Sequence, residues 1–437
     1  MNTTQKFFIP LLLVGAMMTT LFLGCTRESE DRIPFTVKTE NLTDIADLNM
    51  STLQVRMTNT LGRSFPGHLN AEGQTTLMIT PGTYSIVITG QIITPDGDPA
   101  TVQGTTVGSF TVTRDGVMAG TVSVQDRSCF RIDGVDSTLF LNEVTVQLTL
   151  VNAPALIIRE IYFGGGPAFT GLNPETGDSV FANWNRDQYV EVFNNSNRVI
   201  YLDSLIIGGI APVNGFSNTN PNNPWDGSGV LAFSGSMWMV PGNGTDHPLQ
   251  PGEGVVFAPE AVDHSAPPRN ARSGLQLNRA HFALFNAQQH TGQTEPAPGV
   301  IVLNMLTAPA GNRFTFSVSS PAVVIARIPN FYEEWWSQIN DFHVTQPGST
   351  AQTRHWTIRP EWIIDGVDVI IPGAPHIIKR LPRNIDLTFT YLDGGNTFGN
   401  ALTRRLYRVE NGRNIYQVTR NSGADFVTAR PNPRLRP

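Results

Sequence analysis

Three runs set the hydrophobic pattern of this chain. Residues 156–163, 187–196 and 199–207 are rich in Ile, Leu, Val, Tyr and Phe, and the segments between them are rich in Gly, Asn, Pro and Asp. Short β-branched and aromatic runs bounded by turn formers predict strands joined by turns, the pattern of a β-sandwich. Upstream, residues 53–57, 76–79 and 84–88 alternate apolar with polar, and Pro81-Gly82 marks the turn joining the last two. Period-two alternation predicts strands with one face in a core. Further strands are expected at 108–113, 120–124 and 144–150. The expectation is an all-β chain with two sandwich domains, 34–151 and 156–437.

Two long interruptions fall in the second domain, 208–254 and 263–375. The first carries Phe216, Trp225, Phe233, Trp238 and Met239 among Asn, Gly and Pro, so an ordered, folded-back loop is expected. Its aromatics are either anchors on a binding surface or a cover over the end of the sandwich core. In the second, Phe331, Trp335, Ile339 and Phe342 recur at helical spacing. That predicts a short amphipathic helix on the sandwich, with Trp336 off the stripe and exposed. Trp225, Trp238, Trp335 and Trp336 are the candidate binding surface.

Composition agrees with strands and turns. Charged residues are 15% of the 437, while Gly and Pro number 40 and 31, and hydrophobic residues at 40% suffice for sizeable cores. The first 24 residues stand apart: Lys6, an apolar run from Phe7, and Leu21-Phe22-Leu23-Gly24 leading into Cys25. This is the pattern of a lipoprotein signal peptide, which predicts cleavage before Cys25, its acylation (palmitate) and a tether over 25–33. Pro10 and Thr19-Thr20 break the run, which argues against a spanning anchor. Losing Lys6 takes the formal charge from −6 to −7, an unfavourable balance for nucleic acid. Cys129 then has no intrachain partner and reads as a small buried residue.

Candidate chemistry is sparse. The sequence has no Gly-x-Ser-x-Gly elbow, phosphate loop, His-Glu-x-x-His or Cys cluster. Its histidines, including His247, His264, His281, His290, His343, His355 and His376, lack the spacing that preorganises metal ligands. Asp96-Gly97-Asp98 has too few oxygens for a calcium loop and reads as a turn. Glu333 and Glu334 are helix neighbours that cannot flank a sugar bond, so they belong to a solvated face. From Lys379 onward 11 basic and 4 acidic side chains make a basic C-terminal part. No catalytic residue, metal or cofactor is assigned.

Several phrases resemble known families. The order of 156–163, Tyr189-Val190-Glu191-Val192-Phe193-Asn194, Leu202-Asp203-Ser204-Leu205, Leu249-Gln250-Pro251-Gly252 and Arg420-Asn421-Ser422-Gly423-Ala424-Asp425-Phe426 resembles a lamin-tail domain, an Ig-like sandwich, stretched by insertions. In it Glu160, Asp187 and Glu191 are first of all fold residues. Asn70-Ala71-Glu72-Gly73 through Pro81-Gly82-Thr83-Tyr84 resembles prealbumin-like modules. Glu28, Glu30 and Asp31 behind Cys25 resemble the surface-export signal of Bacteroidetes lipoproteins, although a periplasmic tether reads the same way. Asp136-Ser137-Thr138, Asp178-Ser179-Val180 and Asp203-Ser204-Leu205 resemble the O-glycosylation triplet of those bacteria. Taken whole, the chain resembles an uncharacterised family of Bacteroidetes surface lipoproteins. The resemblance implies a non-catalytic protein, lipid-anchored in the outer membrane at the cell surface. It would act as a binding or accessory subunit, with an outer-membrane receptor barrel of the TonB-dependent kind as partner, in iron, haem or nutrient uptake. The alternatives are an adhesin-like module for host protein or glycan and, last, an enzyme whose site assembles from scattered Asp, His and Asn.

Overall fold

The computed structural model describes residues 32–41, 43, 48–60, 63–93, 99–106, 110–113, 116–118, 130–131, 143–213, 222–266, 269, 273–307, 311–350, 354–372 and 376–437. Cys25 and its leader, Cys129, the Asp96–Asp98 turn, the expected strand at 120–124 and Phe216 lie outside them. Strands dominate the described residues, and none of their helices is long and apolar enough to cross a membrane. The fold is all-β, built of sandwiches.

Two compact units are present: residues up to 88 with 104–149, and 89–103 with 150–437. In the first, the strand Ile33–Asn41 pairs antiparallel with Gln74–Ile79 and parallel with Glu143–Asn152. A second set comprises Gln54–Asn59, Ser64–His68 and Phe110–Thr113, together with the start of Gly82–Ile93. Alternation puts Phe35 and Val37 inside, and likewise Val55 and Met57, with Gln54 and Arg56 outside. Phe35 stacks on Phe110 at 5.7 Å and joins the layers.

The segment 89–103, expected in the first domain, groups with the second unit instead. Gln91 explains why: its Nε2 donates to Tyr416 O at 3.1 Å and its Oε1 accepts the Val418 N–H at 2.6 Å. Gln103 Nε2 donates to Thr419 O at 2.8 Å. Buried amide groups need such partners.

The second unit is a sandwich with both outer faces covered. One sheet runs, in spatial order, Ile301–Val302, Phe282–Ala283, Gly254–Ala258, Tyr189–Asn194, Leu156–Tyr162, Ala401–Arg404, Phe426–Ala429. The facing sheet runs Asn304–Met305, Trp238–Met239, Ile206–Gly209, Ala322–Ala326, Ile363–Asp368. Ile158, Val190, Val192 and Phe257 meet Ile207, Val323, Ile325 and Val367 between them. Leu156–Tyr162 and Tyr189–Asn194 are buried at every position, which needs cover on both faces. Leu275, Leu277 and Phe285 supply it over Tyr162, Tyr189 and Val256. On the far side of the second sheet, Leu231, Phe233, Trp335, Phe342 and Ile358 form another core.

The stretch 263–375, expected as inserted material, supplies strands to both sheets. It contributes Ala322–Ala326, the strand between Ile206–Gly209 and Ile363–Asp368. That strand is a continuous apolar run buried throughout, without the alternation that identifies a half-exposed strand.

Candidate binding surface

Three of the four candidate tryptophans are core residues, a correction to the expectation. Trp225 is 4% exposed, packed with Ala211 and Ala232 and edge-on to His355 at 5.5 Å. Trp238 lies in the core between the two sheets against His290 and Phe314. Trp335 is fully buried, and its indole N–H donates to Thr357 O at 3.1 Å. The physical reason is the fold-back of 208–254, whose short strands Leu231–Ala232 and Trp238–Met239 pair with sheet strands and carry the aromatics inward. Only Trp336, at 43% exposure, faces solvent. The predicted amphipathic helix is a π-turn over Tyr332–Trp336, with the Ser337 N–H donating to Tyr332 O at 2.8 Å. Phe331, Ile339 and Phe342 still join the core beside Trp335.

The buried carboxylates are committed to ion pairs and turns. Arg159 Nη2 lies 2.5 Å from Glu191 Oε2, which also accepts the Arg434 N–H at 3.0 Å. Glu160 accepts from the Tyr189 hydroxyl, from Thr403 Oγ1 at 2.7 Å and from the Asn432 N–H at 2.8 Å. Burial, reinforced by Glu160, pushes the Tyr189 hydroxyl well above its ordinary value. Arg404 bridges Asp365 at 2.7 Å and Asp425 at 3.1 Å. Asp203 accepts the N–H groups of Gly244, Asp246 and His247, each at 3.0–3.1 Å, so the Asp of that Asp-Ser-Leu triplet closes a loop. Asp386, which burial raises to about 6, titrates high, and so does Asp187. Burial pushes its carboxyl up to about 6 despite the hydrogen bond from Ser273 Oγ at 2.5 Å. Among the described residues no three His, Cys, Asp or Glu side chains gather as a metal site.

One exposed apolar surface lies on a hairpin between the first two hydrophobic runs of the second domain. Gly166–Leu172 and Ser179–Trp184 form a two-stranded ribbon whose turn includes Glu175 and Asp178. Phe169 pairs with Phe181, and Leu172 with Ser179 across one bulge. That register puts Pro167, Phe169, Leu172 and Phe181 on one face of the ribbon. Phe169, Leu172 and Phe181 are 55%, 63% and 40% exposed, and the two rings meet edge-on at 6.1 Å. The signal was present in the sequence as two apolar runs flanking Asn173-Pro174-Glu175-Thr176-Gly177-Asp178.

The foot of the ribbon is fixed tightly. Asn183 Nδ2 donates to Gly164 O at 3.0 Å, and the Gly399 N–H to Gly165 O at 2.9 Å. The Trp184 indole donates to His264 Nδ1 at 3.3 Å, and the Arg186 guanidinium covers the Trp184 ring at 5.3 Å. Burial lowers the His264 pKa, keeping the ring a neutral acceptor. A Cβ on Gly164 would fall 1.7 Å from Asn396 O, so only glycine lets the backbones approach this closely.

The loop under that foot also walls a cavity of about 580 Å³. Val318, Ile371, Pro372 and Leu392 give it aliphatic walls, and Gly394-Gly395-Asn396 lines one side. Asn396 Nδ2 ties this side to Ser319 O at 2.7 Å. Tyr391 and Phe398 are 46% and 67% exposed, and Tyr391 contributes to the cavity lining. Convex aromatic ribbon and concave aliphatic cavity thus share one loop. A cavity of this size holds a small ligand or a few side chains, and contiguous exposed apolar residues mark interaction surfaces.

Comparison with known proteins gives a family model and solved structures. The model for a protein of unknown function (DUF4876) matches residues 250–432, less than half of the chain. The crystal structure of a DUF4876 family protein from Bacteroides thetaiotaomicron VPI-5482, at 2.50 Å resolution, aligns with a TM-score of 0.55. It is 21% identical, over 92% of this chain and 96% of that one, a likeness of fold. A candidate adhesin from Bacteroides ovatus ATCC 8483 is 11% identical over 86% of this chain and 98% of its own. Its TM-score of 0.16 is too low for a shared fold. No curated protein matches the chain.

Proposed function

We propose that this chain is a non-catalytic lipoprotein of the outer membrane, anchored through Cys25 and displayed at the cell surface, where it works as a binding or accessory subunit. The observation that carries the reading is the apolar surface formed by the 166–184 ribbon and the cavity beside it. Its side chains are held exposed on a rigid foot rather than folded into the core. Hydrophobic groups positioned this way serve contact with another molecule. Five of the buried carboxylates support the same reading, because Glu160, Glu191, Asp365, Asp368 and Asp425 already have cationic or hydrogen-bonding partners that account for them. The receptor barrel of a nutrient-uptake system, of the TonB-dependent kind, is the partner proposed for a protein so anchored, with iron, haem or another nutrient as cargo.

Crosslinking of intact cells, followed by purification through a C-terminal tag and mass spectrometry, tests this. Stoichiometric recovery of an outer-membrane barrel is the expected result. A clean monomer with no crosslinks overturns the subunit reading.

A further inference from the structure

Charge distinguishes this surface from the rest of the second unit. The ribbon from 166 to 184 and the loop from 391 to 400 contain Glu175, Asp178 and Asp393, all exposed, and no Lys or Arg. The chain from Lys379 onward is otherwise strongly basic. The two segments that carry exposed Phe169, Leu172, Phe181 and Phe398 thus bear three exposed carboxylates, against one guanidinium, Arg186, at the foot of the ribbon on the Trp184 ring.

We infer that the ribbon and cavity dock a polypeptide segment whose aromatic or aliphatic anchors are flanked by Lys or Arg. The inference rests on the binding-subunit reading and adds the chemistry of the partner. An apolar side chain of that segment enters the cavity between Ile371 and Leu392, a second packs on the Phe169–Phe181 pair, and the cations meet Glu175, Asp178 and Asp393. Complementary charge fixes orientation and accelerates encounter, while the buried anchors hold the complex.

Other occupants fit less well. A second copy meeting this face through a two-fold axis would set carboxylates against carboxylates. The chain's own basic C-terminal segment is already engaged, with Arg434 on Glu191 at 2.7 Å and Arg436 donating to Gly299 O at 2.6 Å. An anionic lipid surface favours Lys and Arg at its contact, and here Arg186 is outnumbered by Glu175, Asp178 and Asp393. A small apolar ligand would fill the cavity but leave the ribbon face in water.

The test uses the soluble chain lacking its leader and labelled short peptides of three designs: Leu and Trp alternating with Lys, the same with Glu for Lys, and the same with Ser for Leu and Trp. Vesicles containing phosphatidylglycerol are the fourth probe. The Leu/Trp/Lys peptide should bind at least about tenfold more tightly than the other two, a difference set by both anchors and charge. Phe169→Ser with Phe181→Ser, and separately Glu175→Lys with Asp178→Lys and Asp393→Lys, should each weaken it about tenfold. The melting temperature should stay fixed, because these side chains are exposed. Equal binding of the Glu peptide, binding unchanged in both variants, or stronger ribbon-dependent binding to the vesicles overturns the inference. If cells yield a crosslinked partner that both variants still capture, the subunit reading stands and only this inference falls. If peptides bind as expected but cells yield no partner, the subunit reading falls instead.

Discussion

The Arg380 guanidinium rests on the Asp368 carboxylate, Nη2 to Oδ1 at 2.7 Å and Nε to Oδ1 at 3.0 Å, with both side chains wholly buried. Arg380 also donates to Ser320 O and Val369 O at 2.5 Å each, so one cation ties Ile363–Asp368 to chain on either side of it. Despite burial, this cation holds the Asp368 carboxyl below its ordinary value. Arg380→Ala leaves that buried carboxylate with only Lys379 at 3.4 Å and the backbone N–H groups of residues 380 and 381, and should cost about 3–5 kcal/mol. The urea midpoint of the second unit measures it, and a loss within error of zero would show that Lys379 and the backbone donors suffice for this carboxylate.

The core assignment of the tryptophans predicts opposite outcomes for two neighbours. Trp335→Ala removes a fully buried indole and should cost about 3–5 kcal/mol. Trp336→Ala, at a 43% exposed position, should change stability by less than about 1 kcal/mol. Equal losses in thermal melts would contradict the placement of the π-turn.

Asp187 gives a pH test. Its folded-state pKa of about 6 lies above the ordinary 3.8, so the folded protein binds the proton more tightly. Stability from this group is complete below pH 3.8 and is lost as pH rises through 6. The cost at neutral pH is on the order of 3 kcal/mol. Asp187→Asn keeps the shape without the charge. Relative to the parent, its urea midpoint should be higher at pH 7.5 than at pH 4.5, and an identical difference at both pH values would show that Asp187 titrates normally.

The ribbon is seated by glycine. Gly164→Ala places a methyl 1.7 Å from Asn396 O, and the backbone must move to admit it. A loss of several kcal/mol is expected from such overpacking, on the order of 1–3 or more. Protease sensitivity near residues 166–184 should rise with it. An unchanged melting temperature would mean that the 391–399 loop yields freely.

The proposed lipid anchor has its own test. Cys25→Ala removes the thiol that acylation requires. Labelled palmitate should no longer be incorporated, and the protein should leave the membrane fraction. Retention of both would place the anchor elsewhere.

The strands at 156–162 and 189–194 were legible because β-branched and aromatic residues crowd them and turn formers bound them. The Gln54–Asn59 and Gln74–Ile79 strands were legible through period-two alternation, which reports a single buried face. The stripe of Phe331, Trp335, Ile339 and Phe342 likewise identified the side of its turn that is buried. Ala322–Ala326 was not legible, since a strand covered on both faces is apolar throughout and shows no period.

Local pattern thus determined the all-β class, the strands with the clearest apolar periodicity and the absence of the common catalytic motifs, because each depends on a few adjacent residues. Only the tertiary structure decided which aromatics are core and which are surface. An exposed Phe169 and a buried Trp238 are equally apolar as letters, and exposure depends on what the distant chain lays over them. The 208–254 stretch folds back and buries its tryptophans against sheet strands and loops. The 166–184 ribbon turns away from both sheets, and its aromatics stay in water.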